Sequence, residues 1–238
     1  MDFNVEARPL VIKNQVYEDF LVLEDSRIWC KKNNKGFIEG YTSIGYLNRQ
    51  DTRYCIDQNH LNLSSILAYT FPDKIGKSPL VDFFRLKIGD NPYNIITPTG
   101  YQWIGAKTVT IDHINRNPLD NSLGNLRFAA SLEQGLNTRA KIGLENHTSQ
   151  YKGVSLTPFH KWQTRLELKN LINKLGQYIR KGKNYDSELD AALAYNFFNR
   201  QALIEAFGAN LGIQVYEEVA FKNQPDYREE YLFDICNL

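Results

Sequence analysis

The sequence predicts an α+β fold, and three observations carry that reading. Residues 1–106 alternate short apolar runs with turn residues, residues 108–137 read as strand, long polar loop, strand and helix, and residues 149–212 read as a hairpin and third strand followed by one helix. In the first region "YEDFLVLEDS", "KGFIEGYTSIGYLN" and "RYCID" are strand-like, while "NLSSILAYTF" has helical spacing and stops at Pro72, whose ring cannot continue a helix. Trp29, Tyr41, Tyr46 and Tyr54 read as core and cross-strand aromatics of this small mixed α/β region. Pro79, Pro92, Pro98, Gly100 and Gly105 mark a loop-rich passage.

"KTVTI" and "LRFAA" then have strand composition, with a loop from about Asp112 to Asn125 between them. In "SLEQGLNTRA", Ser131 as N-cap with Gln134 three residues on forms a capping-box pattern. Further on, "SQYKGVSLTPFHKWQTRLELK" alternates around a turn at Pro158, and "KLGQYIRKGK" supplies a third strand. Ser187 starts a helix in which Leu189, Leu193 and Phe197 recur at i+4, and Gly208 ends it. A three-stranded antiparallel sheet packed on one helix leaves one sheet face open. The expected units are 1–106, 107–145, 146–212 and an acidic C-terminal tail, 213–238.

With 238 residues, 42% of them hydrophobic, the chain can bury a sizeable core. No window approaches the roughly 18 consecutive apolar residues of a membrane helix, and the acidic start "MDFNVEARPL" lacks a secretory pattern. A soluble, intracellular protein with no membrane partner is expected. Cys30, Cys55 and Cys236 form no metal-binding pair and read as core or surface thiols. The net charge of +1 conceals a division: residues 139–184 carry ten basic and two acidic residues, residues 185–238 three basic and ten acidic, and residues 1–138 balance at fifteen of each. A basic segment inside a neutral chain points to a polyanion-binding face.

The loop is the most specific feature. "TVTIDHINRNPLDNSLGNLR" sets Asp112 beside His113 and then spends a dozen residues on Asn, Asp, Pro and Gly. Phosphodiester hydrolysis needs a hard cation to offset growing negative charge and a base with a pKa near neutrality, and Asp112 and His113 supply one of each. Loop side chains of Asn and Asp can bond their own backbone and hold a bend between the two. The stretch "DHINRNPLDNSLGNLR", followed by "EQGLN", resembles the HNH nucleases of ββα-metal fold, in particular homing endonucleases of phages and mobile introns.

That resemblance implies that Asp112 ligates a divalent metal, magnesium with manganese able to substitute, and that His113 is the general base. It makes Asn125 the residue holding the loop so that the His113 ring faces the phosphate. The third HNH position falls on Gln134, where the family usually has His or Asn as second metal ligand. As a capping residue Gln134 also has an explanation without metal. Asn137, one turn on, is a reserve candidate for ligand or DNA contact. Arg116 stands where relatives commonly have Gly in "DHINGN", which is either a phosphate contact or the mark of a site released from catalytic selection. Arg127 is assigned to DNA.

The third unit, through "YKGV", Trp162, "LGQY" and "ELDAALAYNFFNRQALIEAFGANLG", resembles the ethylene-response-factor (Apetala-type) DNA-binding domain. In that family the sheet enters the major groove. The resemblance implies that Lys152, Ser155, Thr157, Phe159, Lys161, Arg165, Glu167 and Lys174 face DNA and that Trp162 packs under the sheet. The expectation is a site-specific HNH homing endonuclease acting on double-stranded DNA as a monomer or homodimer, in the cytoplasm of a bacterial or phage-infected host. A restriction-type HNH enzyme and a sequence-specific DNA-binding regulator with a decayed nuclease site are the alternatives.

Overall fold

The computed structural model describes residues 4–13, 15–32, 35–44, 50–90, 94–104, 108–138 and 148–223. Tyr46, Arg139, Lys141, Cys236 and the end of the acidic tail lie outside these residues. The fold is α+β, as the sequence predicts, and it divides into two compact units: Met1–Lys77 with Thr110–Ala129, and Ser78–Val109 with Ala130–Leu238. No helix among the described residues is long and apolar enough to cross a membrane.

The first unit opens with the strands β1 (Ala7–Ile12), β2 (Gln15–Leu23), β3 (Ile28–Cys30) and β4 (Gly36–Ile38), an antiparallel sheet in that order. Trp29 and Phe37 stand opposite each other across β3 and β4, and their rings meet edge to face at 4.9 Å, the cross-strand pairing predicted for Trp29. A second sheet joins β5 (Tyr41–Ile44), β6 (Gln50–Ile56) and β7 (Asn59–Asn62), leading into helix α1 (Leu63–Thr70). Helix α1 ends at Thr70, two residues before Pro72, and its Ile66 and Leu67 are fully buried. A third sheet has the order β11 (Thr110–His113), β12 (Leu126–Ala129), β8 (Gly76–Lys77).

Two contacts explain why the division cuts the strand–loop–strand–helix element after its second strand. β12 pairs in parallel with β8, which ties the hairpin to the first unit. The helix α3 (Ser131–Asn137) is tied to the second by Glu133, whose buried carboxylate accepts from Ala130 N at 3.1 Å, from Leu80 N at 2.9 Å and from the Ser78 hydroxyl. Ser78 and Leu80 stand at the start of helix α2 (Pro79–Phe83). The helix start therefore lies one residue earlier than the expected capping box: Ala130 is the N-cap, and Glu133 at N3 supplies the half of the box that bonds the N-cap amide.

The second unit carries β9 (Ile95–Ile96), β10 (Gln102–Trp103), β13 (Val154–Leu156), β14 (Trp162–Ile172) and β15 (Tyr178–Tyr185). The sheet has five strands, not the three expected, because the far end of β14 pairs with β10, and β10 with β9. Two-residue strands are too short to show a period in sequence. Helix α4 (Glu188–Phe207) packs on one face, with the Ser187 hydroxyl accepting from Asp190 N as its cap. Val154, Ala191 and Ala192 form a buried cluster against which Trp162 packs, as expected for a core tryptophan. Gly153 is obligatory here: its φ is +71°, and a Cβ would lie 2.0 Å from the Tyr195 ring.

The expected tail begins inside a helix. Helix α5 (Ala209–Glu218) buries Leu211, Val215 and Tyr216. It crosses α4 so closely that a Cβ on Gly212 would stand 2.5 Å from Leu203 O. Counting Glu217 and Glu218 as tail charge conceals this apolar stripe on the other side of the same helix.

Candidate active site and nucleic-acid interface

β11 runs through Asp112 and His113, so the expected loop starts two residues later than the spacing suggests. Neighbours on a strand point to opposite sides, and the two side chains meet different partners. Asp112 stands opposite Arg127 across the hairpin, and its Oδ2 accepts from Arg127 Nε at 3.0 Å and Nη2 at 2.8 Å. The Arg127 side chain is 6% exposed. β12 is the central strand of its sheet and all four of its residues are buried. Arg127, which the resemblance assigns to DNA, is buried and orients the Asp112 carboxylate.

His113 is oriented by a residue the sequence reading did not single out. Its Nε2 lies 3.1 Å from Oδ1 of Asn121. The Asn121 amide nitrogen donates to Leu119 O at 3.3 Å, which fixes the amide with its oxygen toward the imidazole. Asn121 also lines a cleft of about 490 Å³ with Ser26, Leu63, Leu119 and Leu123.

The loop between the strands is braced by its own side chains. Asn125 accepts from Asn115 N at 2.9 Å and donates to Asn115 Oδ1 at 3.0 Å and Asp120 O at 2.7 Å. Asn115 donates to Asp120 at 2.6 Å, and the Ser122 hydroxyl and amide both donate to Asp120, holding its carboxyl below the usual range. Asn125 thus joins the two ends of the turn. Arg116 sits at φ +65°, in the left-handed region that a glycine would occupy without strain.

Gln134 and Asn137 stand on α3 in the second unit, Gln134 half-buried and Asn137 buried. Among the described residues no three His, Cys, Asp or Glu side chains are grouped to hold a metal. A closed zinc-type site is therefore not built from them. A magnesium-type site needs only one or two carboxylates, with water and phosphate oxygens completing an octahedron, and Asp112 fits that donor set.

The residues assigned to the DNA face divide into three groups. On β14, Thr164, Leu166 and Leu168 are buried toward α4, so Gln163, Arg165, Glu167 and Lys169 line the open face, with Ser155 opposite Gln163 and Arg180 opposite Glu167. Thr157, Phe159 and Lys161 belong to the β13–β14 turn and Lys174 to the β14–β15 turn. There the Thr157 hydroxyl donates to Lys161 O at 2.9 Å, and Phe159 is 85% exposed. Lys152 belongs to neither group: its Nζ donates to Gly135 O and Leu136 O, at 2.9 and 2.8 Å, satisfying the last carbonyls of α3. Lys161 pairs with Asp186, and Lys181 with Glu205 at 2.9 Å, so acids of the C-terminal helix region neutralise part of the basic segment. Comparison with protein-family models, with curated proteins and with solved structures finds no match.

Proposed function

We propose that the chain is a site-specific, metal-dependent DNA endonuclease of the HNH homing type, with the hairpin of β11 and β12 carrying the cutting site and the open sheet face locating the target. The observation that carries this reading is the fixed imidazole. A loop cross-braced by Asn125 presents Asn121 to His113, which holds the imidazole in one orientation as the base that takes a proton from water. Beside it Asp112 is held by Arg127 as the carboxylate that would carry a divalent cation. Bound there, magnesium or manganese supplies charge neutralisation at the scissile phosphate and leaving oxygen. Arg127, fixing one carboxylate oxygen, restricts the rotamers of Asp112.

The same ion pair favours a second reading, a DNA-binding regulator whose nuclease site has decayed, because a buried guanidinium already offsets the Asp112 charge. Incubation with a randomised duplex library and magnesium or manganese, followed by sequencing of new ends, separates the two. Ends at a shared sequence support the endonuclease, whereas retention of a shared sequence without ends supports the regulator.

The basic residues make a distinguishable prediction. Lys174→Ala is expected to lower the salt slope of duplex binding by about one unit, as for one lost phosphate contact. Lys152→Met is expected to leave that slope unchanged and to cost about 1 kcal/mol of stability through the lost helix cap. A urea titration beside a salt titration reads both.

A further inference from the structure

Between Thr148 and Asn184 the chain holds eight basic residues and a single acid, Glu167. That acid lies on the open face of the sheet, on β14 between β13 and β15, opposite Arg180. Three cations converge on it: Arg165 at 2.6 Å, Lys169 at 3.3 Å and Arg180 at 3.3 Å. Their side chains are 54 to 68% exposed, whereas that of Glu167 is 12% exposed. The cations form the accessible surface and the carboxylate lies beneath them, with Arg165 first among the groups holding its carboxyl below the usual range.

For a surface that only gripped phosphates this is the wrong residue. A carboxylate repels the backbone and draws three cations away from phosphate contacts that would each release counterions. A carboxylate does have a use against base edges. It accepts from an exocyclic amino group in the major groove, and it is repelled by the lone pairs of guanine O6 and N7 and of thymine O4.

We propose that Glu167 is a specificity-determining residue of this face, accepting a hydrogen bond from the exocyclic amino group of a cytosine or adenine at the major-groove edge. This rests on the DNA-binding part of the function proposed above. The carboxylate also pre-aligns the Arg165 guanidinium, which donates to it through Nε and Nη2. At a matched base the amino group takes one carboxylate oxygen and Arg165 turns to the neighbouring edge or phosphate. At a mismatched base the cations stay on Glu167 and contribute less to binding.

The test is selection from a randomised duplex library by the full chain in a metal chelator, so that binding is read without cutting, with Glu167→Gln and Glu167→Ala alongside. Unchanged melting temperatures of the variants are expected, since Glu167 faces away from α4. The wild type is expected to select an amino-bearing base at one position, cytosine or adenine being identified by the selected sequence. Glu167→Ala should lose about tenfold in discrimination there while binding random duplex more tightly. Glu167→Gln should move the preference toward adenine, whose N6 and N7 match an amide. If both variants select the wild-type sequence with undiminished discrimination, the proposal is overturned. A wild-type chain that retains no duplex at low salt would overturn the DNA-binding reading itself, and this inference with it.

Discussion

Replacing His113 with alanine is expected to lower phosphodiester cleavage by about 10²- to 10⁴-fold while leaving duplex affinity within about twofold. A general base contributes in the transition state and hardly at all to ground-state binding, so its loss appears in the rate and not in retention on DNA. The Asn121 contact gives this prediction an internal control. Asn121→Ala removes the acceptor that holds Nε2 but leaves the imidazole in place, so the rate should fall by less, about tenfold, again with affinity retained. Single-turnover cleavage and filter binding on the same duplex measure the two quantities. Loss of affinity in parallel with rate for His113→Ala would make His113 a structural residue of the hairpin and remove the assigned base.

The largest expected effect on stability lies at Glu133. The residue is fully buried, and its carboxylate serves two helix starts at once, taking Ala130 N at the head of α3 and Leu80 N and the Ser78 hydroxyl at the head of α2. Glutamine keeps the volume but offers a single acceptor oxygen and turns an amide N–H toward groups that are themselves donors. The expected cost of Glu133→Gln is about 3 kcal/mol, or about 10 °C in melting temperature, with Glu133→Ala lower still because it also leaves a cavity. Urea unfolding measures it. A Glu133→Gln protein within about 1 kcal/mol of wild type would mean that the carboxylate is not the group holding these two helix starts.

The residues of the candidate site differ in how visible they are in the sequence. Asp112, His113 and Asn125 were singled out from the sequence because strand composition, loop length and Asn/Gly chemistry all act within about fifteen residues of chain. Asn121 was not, because it shares its loop with Asn115, Asn117 and Asn125, and nothing local separates the one that faces His113 from those that face backbone. The pairing of Arg127 with Asp112 was hidden for a related reason. Alternation indicates which side of a strand a residue occupies, but not that both faces of β12 are buried and that β8 takes its far edge. The start of α3 followed the same pattern: the spacing of Ser131 and Gln134 is visible in the sequence, but Glu133 takes the helix start because Ser78 and Leu80 supply further donors to its carboxylate from more than fifty residues away.

The sequence by itself determined the α+β class, the long antiparallel strands β14 and β15, helix α4 with its Ser187 cap and Gly208 stop, and the bracing chemistry of the loop. Each follows from side-chain period or from a residue bonding its own neighbourhood, interactions that exist before the chain folds back on itself. The tertiary structure alone decided which charges are available. Lys152 closes a helix, Arg127 holds Asp112, Lys161 pairs with Asp186, and Glu167 gathers three cations on a face that a charge count reads as uniformly basic. A charge is local in sequence, but its partner is whichever group the packed backbone brings within about 4 Å, and at that range pairing rather than net charge determines what the side chain can still bind.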